Sequence, residues 1–314
     1  MIPVRPDQVH PECAARPCPL CGSSDESRVF AEANIDARGL GEFAFSSRKL
    51  PEYMHYRLLS CPVCDLLYAS PVPPVRALEP AYREAAYDSA EEADCASRTY
   101  GAVLRRFIGR LPDRDGALDI GAGDGAFLER LLDEGFTRVC GVEPSAAPLR
   151  AAKAEVRPLL HQGMFDAAEF QSGSLSLVTC FQTLEHLYDP LAMCRSAYGL
   201  LKEGGAAFFV CHDRQAVSAR LLGARSPIFD IEHLQLFSPR SVRSLLERSG
   251  FADIEVGSLR NRYPLHYWMK LLPLPAGLKS GLVGLLKRTG LGHLPISIPA
   301  GNMTAIGFKR PGRV

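Results

Sequence analysis

The stretch LDIGAGDGAFLERLL, residues 118–132, constrains the fold more than any other part of the chain. A short apolar run leads into a turn with glycine at positions 121, 123 and 125, and a helical pattern follows at once. Glycine allows a positive φ angle and a close approach of the backbone to a ligand, and the N-terminus of a helix attracts polar ligand groups. The sequence therefore predicts a strand, a ligand-binding turn and a helix here.

Strand and helix patterns alternate over residues 115–258. The strand patterns are GALDIG, RVCGVE, LSLVTCF, AAFFVC and ADIEVG, and TAIGFKR supplies a last strand. Gly135 and Gly250 follow helical patterns, as C-terminal caps do, and Ser238-Pro239 has the composition of a helix start. Apolar strands that alternate with helices predict an α/β fold with a mostly parallel sheet covered on both faces.

An acidic residue ends the second of these strands. Glu143 lies 18 residues past Gly125, where a carboxylate can accept hydrogen bonds from ribose hydroxyls. Gly121, Gly123 and Ala126 also satisfy G-x-G-x-x-A, so a dinucleotide-binding fold is an alternative at this point. A plain tight turn is a second alternative.

Two Cys-Pro-x-Cys hooks, Cys18/Cys21 and Cys61/Cys64, are separated by 39 residues. Each pair can direct two sulfurs at one ion, so the four cysteines predict a closed, structural Zn²⁺ site. The start of the chain, MIPVRPDQVHPEC, lacks the features of a secretory signal. We therefore expect reduced thiols and a cytoplasmic location.

Composition divides the chain further. Residues 1–75 form the predicted zinc-ribbon head, residues 76–114 a helical linker or cap, and residues 115–314 the main domain with a basic, apolar insertion at 259–302. Residues 1–80 carry 8 Lys and Arg against 10 Asp and Glu, whereas residues 256–314 carry 9 basic and no acidic residues. The slightly acidic head argues against a nucleic-acid partner, and the basic tail predicts a local anionic one.

Two downstream segments, LSLVTCFQTLEHLYDP and LLKEGGAAFFV, complete a set of ordered motifs. With them, residues 80–258 resemble the class I S-adenosylmethionine-dependent methyltransferases, which implies a Rossmann-like sheet of seven strands and S-adenosyl-L-methionine as cofactor. In that family the methionine part would lie against Asp119 and the Gly121–Gly125 turn, and the ribose against Glu143. Met164 and Phe165 would flank the adenine, and Gln182 and Thr183 would lie near the sulfonium.

The whole chain resembles a narrower group, methyltransferases with an N-terminal zinc ribbon that are related to sugar-modifying enzymes. The segments that carry this resemblance are CPLCGS, SSRKLPEYMHYRLLSCPVCDLLYASPVP and SPIFDIEHLQLFSPRSV. It implies a small-molecule acceptor, such as a sugar or a glycan or natural-product precursor.

Candidate general bases follow the strands of the sheet. His186 follows the fourth strand, and it is the second candidate. The first candidate is His233, which lies in the loop SPIFDIEHLQLF before the next helix, because acids at 230 and 232 can orient its ring. His212 follows another strand. For each histidine a purely structural role is the alternative.

The insertion has three open interpretations: a lid over the acceptor, an amphipathic patch on a membrane surface through residues 264–292, or extra helices packed on the sheet. Arg260 and Arg262 are predicted to bind a phosphate-bearing acceptor. The sequence thus predicts methyl transfer to a small molecule. An RNA methyltransferase and a silent S-adenosylmethionine-binding protein are the alternatives.

Overall fold

A computed structural model describes residues 12–24, 27–36, 45, 52–87, 89–223, 226–272 and 274–310. The described part contains two β-sheets. In chain order, the strands are β1 (Arg28–Ala31), β2 (Leu58–Ser60), β3 (Leu67–Ala69), β4 (Ala117–Ile120), β5 (Val139–Glu143), β6 (Leu160–Gln162), β7 (Leu175–Phe181), β8 (Leu201–His212), β9 (Gln235–Leu236), β10 (Ala252–Pro264) and β11 (Pro295–Phe308).

Helices connect most of these strands. They are α1 (Val75–Glu84), α2 (Ala90–Phe107), α3 (Ala126–Asp133), α4 (Ala146–Ala151), α5 (Pro190–Leu200), α6 (Val217–Leu222), α7 (Pro239–Arg248), α8 (Leu265–Leu271) and α9 (Ala276–Arg288). Short 3₁₀ turns lie at Ile108–Arg110, Arg157–Leu159, Ala167–Glu169 and Leu291–His293. In the described residues, no helix combines the length and apolar character that crossing a bilayer requires.

The larger sheet has seven strands in the order β10-β11-β8-β7-β4-β5-β6. β4 pairs in parallel with β5 and β7, and β11 runs antiparallel to both β8 and β10. The predicted Rossmann-like, mostly parallel, seven-stranded fold is therefore confirmed. Its strand order reverses at β4, and ligands of such sheets bind outside the carboxyl ends of the strands near that point.

Both faces of this sheet are buried, as the continuous apolar strands predict. Neighbours along β7 pack in opposite directions: Leu177 joins a cluster with Leu104 and Leu128, whereas Val178 joins one with Val242. All seven residues of β7 are buried. This alternation follows from the two-residue period of a strand, and it fixes the sheet between two helical layers.

The predicted helix signals are confirmed at both kinds of helix end. Gly135 and Gly250 have φ angles of 87° and 98°, as left-handed C-terminal caps require. The Ser238 hydroxyl accepts a hydrogen bond from the Ser241 amide at 3.2 Å, with Pro239 in the first turn of α7. Local sequence therefore sets these helix ends.

The smaller sheet joins the N-terminal head to the rest of the molecule. Its order is β1-β2-β3-β9, and β9 comes from the segment between α6 and α7. Arg16 adds a second connection, because its guanidinium donates to the carbonyl oxygens of Ala69, Tyr188 and Leu234 at 2.8–3.0 Å. The N-terminal strands β1 to β3 thus share a sheet with a strand at 235–236.

The insertion at 259–302 is built on a long hairpin. β10 and β11 remain paired past the edge of the main sheet, from Asn261 opposite Ile298 to Pro264 opposite Pro295. α8, α9 and the turn at Leu291–His293 fill the connection between them.

Candidate active site

The glycine turn after β4 has the backbone that the sequence predicts. Gly121, Gly123 and Gly125 have φ angles of 76°, 57° and 76°, which favour glycine. The Gly121 and Ala122 amides donate to the Val142 carbonyl oxygen at 2.9 and 3.1 Å. A Cβ on Gly121 would lie 2.2 Å from Thr183 Oγ1, so this position has no room for a side chain. The turn is therefore anchored on two neighbouring strands.

Glu143 lies at the end of β5 and faces this turn. Its Oε2 accepts from the Gly123 amide at 2.9 Å, and its Oε1 accepts from the Ser145 amide at 2.8 Å. Burial raises the pKa of the carboxyl group, and the two backbone hydrogen bonds oppose that shift. The structure thus places Glu143 where it holds the turn and borders the cavity.

Asp119 is buried at 2% exposure inside the β4 end. Its Oδ1 accepts from the Thr179 hydroxyl at 2.7 Å, which joins β4 to β7. The neighbouring β7 end supplies Gln182 and Thr183. Gln182 has a φ of 54°, which is unusual for a residue other than glycine. Its backbone N–H donates to the Val210 carbonyl oxygen at 2.7 Å.

The predicted adenine contacts lie on the other side of the turn. Met164 is 41% exposed, and Phe165 packs beside Phe170 with ring centroids 6.2 Å apart. Eight of the nine predicted cofactor residues line one cavity of about 310 Å³, and Gly125 is the exception. Gly125 begins α3 behind the turn, where a Cβ would meet Leu160 and Val156 at 3.3 Å.

Three histidines come together at the carboxyl edge of the sheet. The His233 ring lies 5.0 Å from that of His186 and 5.2 Å from that of His212, and all three line the cavity. Burial, and to a smaller extent the nearby His233, lower the pKa of His212 to about 3, while the hydrogen bond to Asn302 Oδ1 opposes the shift. His212 is therefore neutral at physiological pH.

A backbone carbonyl fixes the orientation of the His233 ring. Its Nδ1 lies 2.8 Å from the Ile228 carbonyl oxygen, which can only accept, so Nδ1 carries the proton. Nε2 is then the basic nitrogen, and it lies 3.8 Å from Glu232 Oε1. Glu232 Oε2 is 4.0 Å from His186 Nδ1. Of the two acids predicted to orient His233, Glu232 faces its ring, and Asp230 accepts from the Ile231 amide at 2.7 Å.

Other residues of the cavity carry no motif. Tyr82 from α1 contributes a hydroxyl that donates to the Glu232 carbonyl oxygen at 3.2 Å, and Asn302 comes from β11. Aromatic side chains form much of the remaining wall: Tyr100, Phe181, Tyr263, Tyr267 and Trp268. Their signal in the sequence is weak, because Tyr100 and Phe181 lie far from the segment 263–268 that supplies the other three, and apolar segments are also typical of a core.

The structure does not bring Arg260 and Arg262 to the cavity. Both are exposed on β10, and neither occurs among the described residues that line it. Their neighbours Asn261 and Tyr263 are buried and face it. Side chains alternate along a strand, so the arginines point to the opposite face from the predicted phosphate site. The Arg260 guanidinium donates instead to the Ser297 carbonyl oxygen at 3.1 Å.

The four predicted zinc ligands converge in the head. Cys18 Sγ lies 3.5 Å from Cys64 Sγ, and Cys21 Sγ lies 3.5 Å from Cys61 Sγ. All four sulfurs lie within 4.8 Å of one another. A tetrahedral Zn²⁺ with Zn–S bonds of about 2.3 Å needs sulfurs about 3.8 Å apart. The four cysteines therefore fit this ion.

The outer surface of the insertion is apolar and basic. Leu278 and Leu285, seven residues apart on α9, are 54% and 59% exposed, and Leu291 and Leu294 just beyond it are 52% and 50% exposed. The same insertion faces the cavity with Tyr267, Trp268 and Leu271 of α8. It therefore combines an inner aromatic wall with an outer leucine-rich surface.

The sheet order, the glycine turn and the acid at the end of β5 define the class I S-adenosylmethionine-dependent methyltransferase domain. A family model described as a methyltransferase domain matches residues 90–256. The chain belongs to this family.

Relatives of known name include ubiquinone biosynthesis O-methyltransferases. The Vibrio parahaemolyticus protein is 27% identical over 155 residues, which cover 45% of this chain and 66% of the relative. One from Escherichia coli O9:H4 is 30% identical over 178 residues, covering 51% and 72%. The chain thus matches just under two thirds of the length of the Vibrio protein. Among solved structures, a putative methyltransferase from Bacillus halodurans aligns with a TM-score of 0.48 and 17% identity over 67% of this chain and 99% of that chain.

Proposed function

We propose that the protein transfers a methyl group from S-adenosyl-L-methionine to a small-molecule acceptor of the sugar or natural-product class. The observation that carries this proposal is the position of His233. His233 lines the same cavity as the glycine turn, and its proton-bearing nitrogen is held by a backbone carbonyl. A base and a cofactor turn that share one cavity can act on one acceptor.

In the proposed complex, Asp119 and the glycine turn hold the methionine part, and Glu143 accepts hydrogen bonds from the ribose. Met164 and Phe165 flank the adenine, and Gln182 and Thr183 lie near the sulfonium. The buried Gln182 Nε2 supports this arrangement, because it has no hydrogen-bond partner among the described residues and lines the cavity. When bound, the cofactor supplies an activated methyl group.

His233 is the proposed general base, and His186 is the second candidate. The cofactor would supply the methyl group, and a hydroxyl oxygen of the acceptor that takes it up would lose its proton. The hydroxyl proton passes to His233 Nε2, where Glu232 stabilises the imidazolium. A positioned base contributes about 10²–10⁴-fold to such a step, and positioning of the two reactants contributes more.

The aromatic wall supports an acceptor with extended apolar faces. Tyr263 and Trp268 lie 5.4 Å apart by ring centroid, and Tyr100 and Phe181 lie 4.5 Å apart. Sugar rings stack on aromatic faces through their C–H groups while their hydroxyls reach polar side chains. His186, His212 and Asn302 offer such polar contacts along this cavity.

We also propose that the head holds one structural Zn²⁺ through Cys18, Cys21, Cys61 and Cys64. Bonds from one ion to both cysteine pairs would hold the two hooks together and so stabilise the folded head. For the insertion we propose peripheral contact with an anionic bilayer. Its exposed leucines and its acid-free, basic sequence are complementary to such a surface.

The test combines labelled S-adenosylmethionine with separate acceptor pools: nucleotide-linked sugars, hydroxylated aromatic rings and RNA. We expect label in the sugar pool from the wild-type protein, and His233→Asn should reduce the rate by about 10²–10⁴-fold without changing cofactor affinity. His161→Ala, an exposed histidine on β6, is the matched control. Label only in RNA or only in aromatic acceptors would overturn the sugar assignment, and a fully active His233→Asn would overturn the base.

A further inference from the structure

A second group of metal-type ligands lies outside the catalytic histidines and the cysteine head. It consists of Glu91 in the first turn of α2, His266 in α8 and His293 in the turn that follows α9. Their ligand atoms all lie within 4.8 Å of one another. Three separate elements thus direct two imidazoles and one carboxylate at the same point.

His266 is the fixed member of this group. Its side chain is fully buried, and its Nδ1 lies 2.9 Å from the Gly292 carbonyl oxygen. That oxygen can only accept, so Nδ1 carries the proton and Nε2 presents its lone pair. A histidine that binds a metal through one nitrogen commonly donates from the other to a backbone carbonyl, which fixes both the tautomer and the ring.

The buried Nε2 of His266 points into this group. It has no hydrogen-bond partner among the described residues, and Glu91 Oε2 is 3.6 Å away, beyond a normal hydrogen bond. The His293 ring centroid lies 5.5 Å from that of His266. Glu91 and His293 are both exposed, so their side chains can close by the small distance that metal bonds of about 2.0–2.2 Å require.

We propose that Glu91, His266 and His293 bind a divalent transition-metal ion of the zinc type. Two imidazoles and one carboxylate suit Zn²⁺, with water in the fourth position. This site is independent of the proposed methyl transfer and of the cysteine head.

The proposed ion would lie between α2 and α8, and both of these helices line the cavity. α2 lines the cavity with Ala93, Ser97 and Tyr100, and α8 lines it with Trp268 and Leu271. Lys270 and Glu92 already join the same two helices through a contact of 3.4 Å. An ion on Glu91 and His266 would fasten the insertion to the helical cap and so hold two walls of the cavity together.

Zinc stoichiometry of the full chain tests the proposal. The protein is equilibrated with Zn²⁺ and freed of excess ion, and its zinc is then measured. We expect two ions per chain, one lost in Cys21→Ser and the other lost in His293→Ala or Glu91→Gln. His293 and Glu91 are exposed, so these variants should fold, and His161→Ala should keep both ions.

Cobalt distinguishes the two sites by their ligands. Co²⁺ on thiolates gives strong sulfur-to-metal charge-transfer absorption, whereas Co²⁺ on imidazole and carboxylate gives only weaker visible bands. His293→Ala should remove the weak bands and leave the strong one. If His293→Ala and Glu91→Gln bind as much zinc as the wild type and leave the cobalt spectrum unchanged, the site is wrong, and the contact is then a simple His266–Glu91 ion pair. Loss of zinc in Cys21→Ser alone would equally contradict this site, and the cysteine site would then be the one that binds zinc.

Discussion

The Glu143 carboxylate has a structural role in the glycine turn and a proposed role in binding the cofactor. Its two oxygens already accept from the Gly123 and Ser145 amides, and the same carboxylate is the proposed ribose ligand. An amide side chain keeps the size but replaces one acceptor with a donor. We expect Glu143→Gln to weaken binding of S-adenosylhomocysteine by about 10- to 100-fold, because a hydrogen bond to a charged group contributes about 1.5–3 kcal/mol.

Titration calorimetry measures this loss. Glu155→Ala, at an exposed position, is the control and should bind as the wild type does. Tight binding of NAD in place of the adenosyl ligand would contradict the assignment of the turn.

Glu185 predicts a dependence of stability on pH. It is fully buried, its Oε1 accepts from the His212 amide, and its Oε2 has no hydrogen-bond partner among the described residues. Burial raises the pKa of this carboxyl group to about 7, since desolvation penalises the charge, while the backbone hydrogen bonds oppose the shift. The folded state therefore binds more protons than the unfolded state between about pH 4.5 and 7, and stability falls as the pH rises through this window.

The isosteric Glu185→Gln variant removes this titration. Between pH 5 and 8 the wild-type protein should lose about 2–3 kcal/mol of unfolding free energy relative to the variant, which follows from 1.36 kcal/mol per pKa unit. Urea unfolding at both pH values gives the two numbers. A constant difference between the proteins would mean that Glu185 does not change its protonation on folding.

Single residues also show where sequence reasoning succeeds and where it fails. The glycines and Glu143 are predictable, because neighbours in the chain and fixed spacing determine their geometry. Arg260 and Arg262 lie in the wrong phase of their strand for the predicted phosphate site, because the sequence of β10 does not reveal which face is buried. Asn261 and Tyr263, each one residue away, are buried on the same side of the strand as Leu259, and both line the cavity.

The glycine turn offers a matched pair of substitutions. A Cβ at Gly121 would lie 2.2–3.1 Å from three atoms of Thr183, so that residue must move to make room. Among the described residues, a Cβ at Gly123 would meet no atom within 4 Å apart from its immediate chain neighbours. We expect Gly121→Ala to lower the melting temperature markedly, whereas Gly123→Ala should cost only about 1–2 kcal/mol for its positive φ.

Although Gly123→Ala should destabilise the free protein less than Gly121→Ala, it should have the more direct effect on ligand binding. Gly123→Ala fills the space that the cofactor needs, so a folded variant should lose affinity for S-adenosylhomocysteine. Thermal unfolding with and without the ligand separates the two losses. Full ligand-induced stabilisation of Gly123→Ala would show that the cofactor does not approach this part of the turn.

Helices and strands are easiest to predict where their ends depend on residues that are adjacent in the sequence. The helix ends at Gly135, Ser238 and Gly250 are confirmed, since caps depend on a few adjacent residues. The pairing of β3 with β9 has no signal, because β9 contains only two residues and its partner lies in the head. The cavity wall from Tyr82 and Asn302 is hidden for a related reason: the tertiary fold alone brings them together.

The insertion makes a prediction for the whole molecule on a membrane. The protein should sediment with vesicles that contain anionic phosphatidylglycerol and much less with pure phosphatidylcholine, and high salt should weaken the binding. Lys287→Glu together with Arg288→Glu should reduce it at least 25-fold, because each basic residue contributes about 1 kcal/mol. Leu278→Ser with Leu285→Ser should reduce it further.

Leu132→Ser on α3 is the matched control, since Leu132 is 41% exposed and lies on the main domain outside the insertion. Equal sedimentation of all these variants would remove the membrane contact. Self-association that the leucine substitutions abolish, without vesicle binding, would assign the surface to a second copy of the chain.

The pairing of β3 in the head with β9 also limits the order in which the molecule can fold during synthesis. The four cysteines have all been made by residue 64, but β9, the partner of β3, follows roughly 170 residues later. At about 5–20 residues per second, the ribosome needs roughly ten to thirty seconds to supply it. For that time the nascent head exposes the unpaired edge of β3, which can pair with other chains. The smaller sheet can therefore be completed only after most of the polypeptide has emerged.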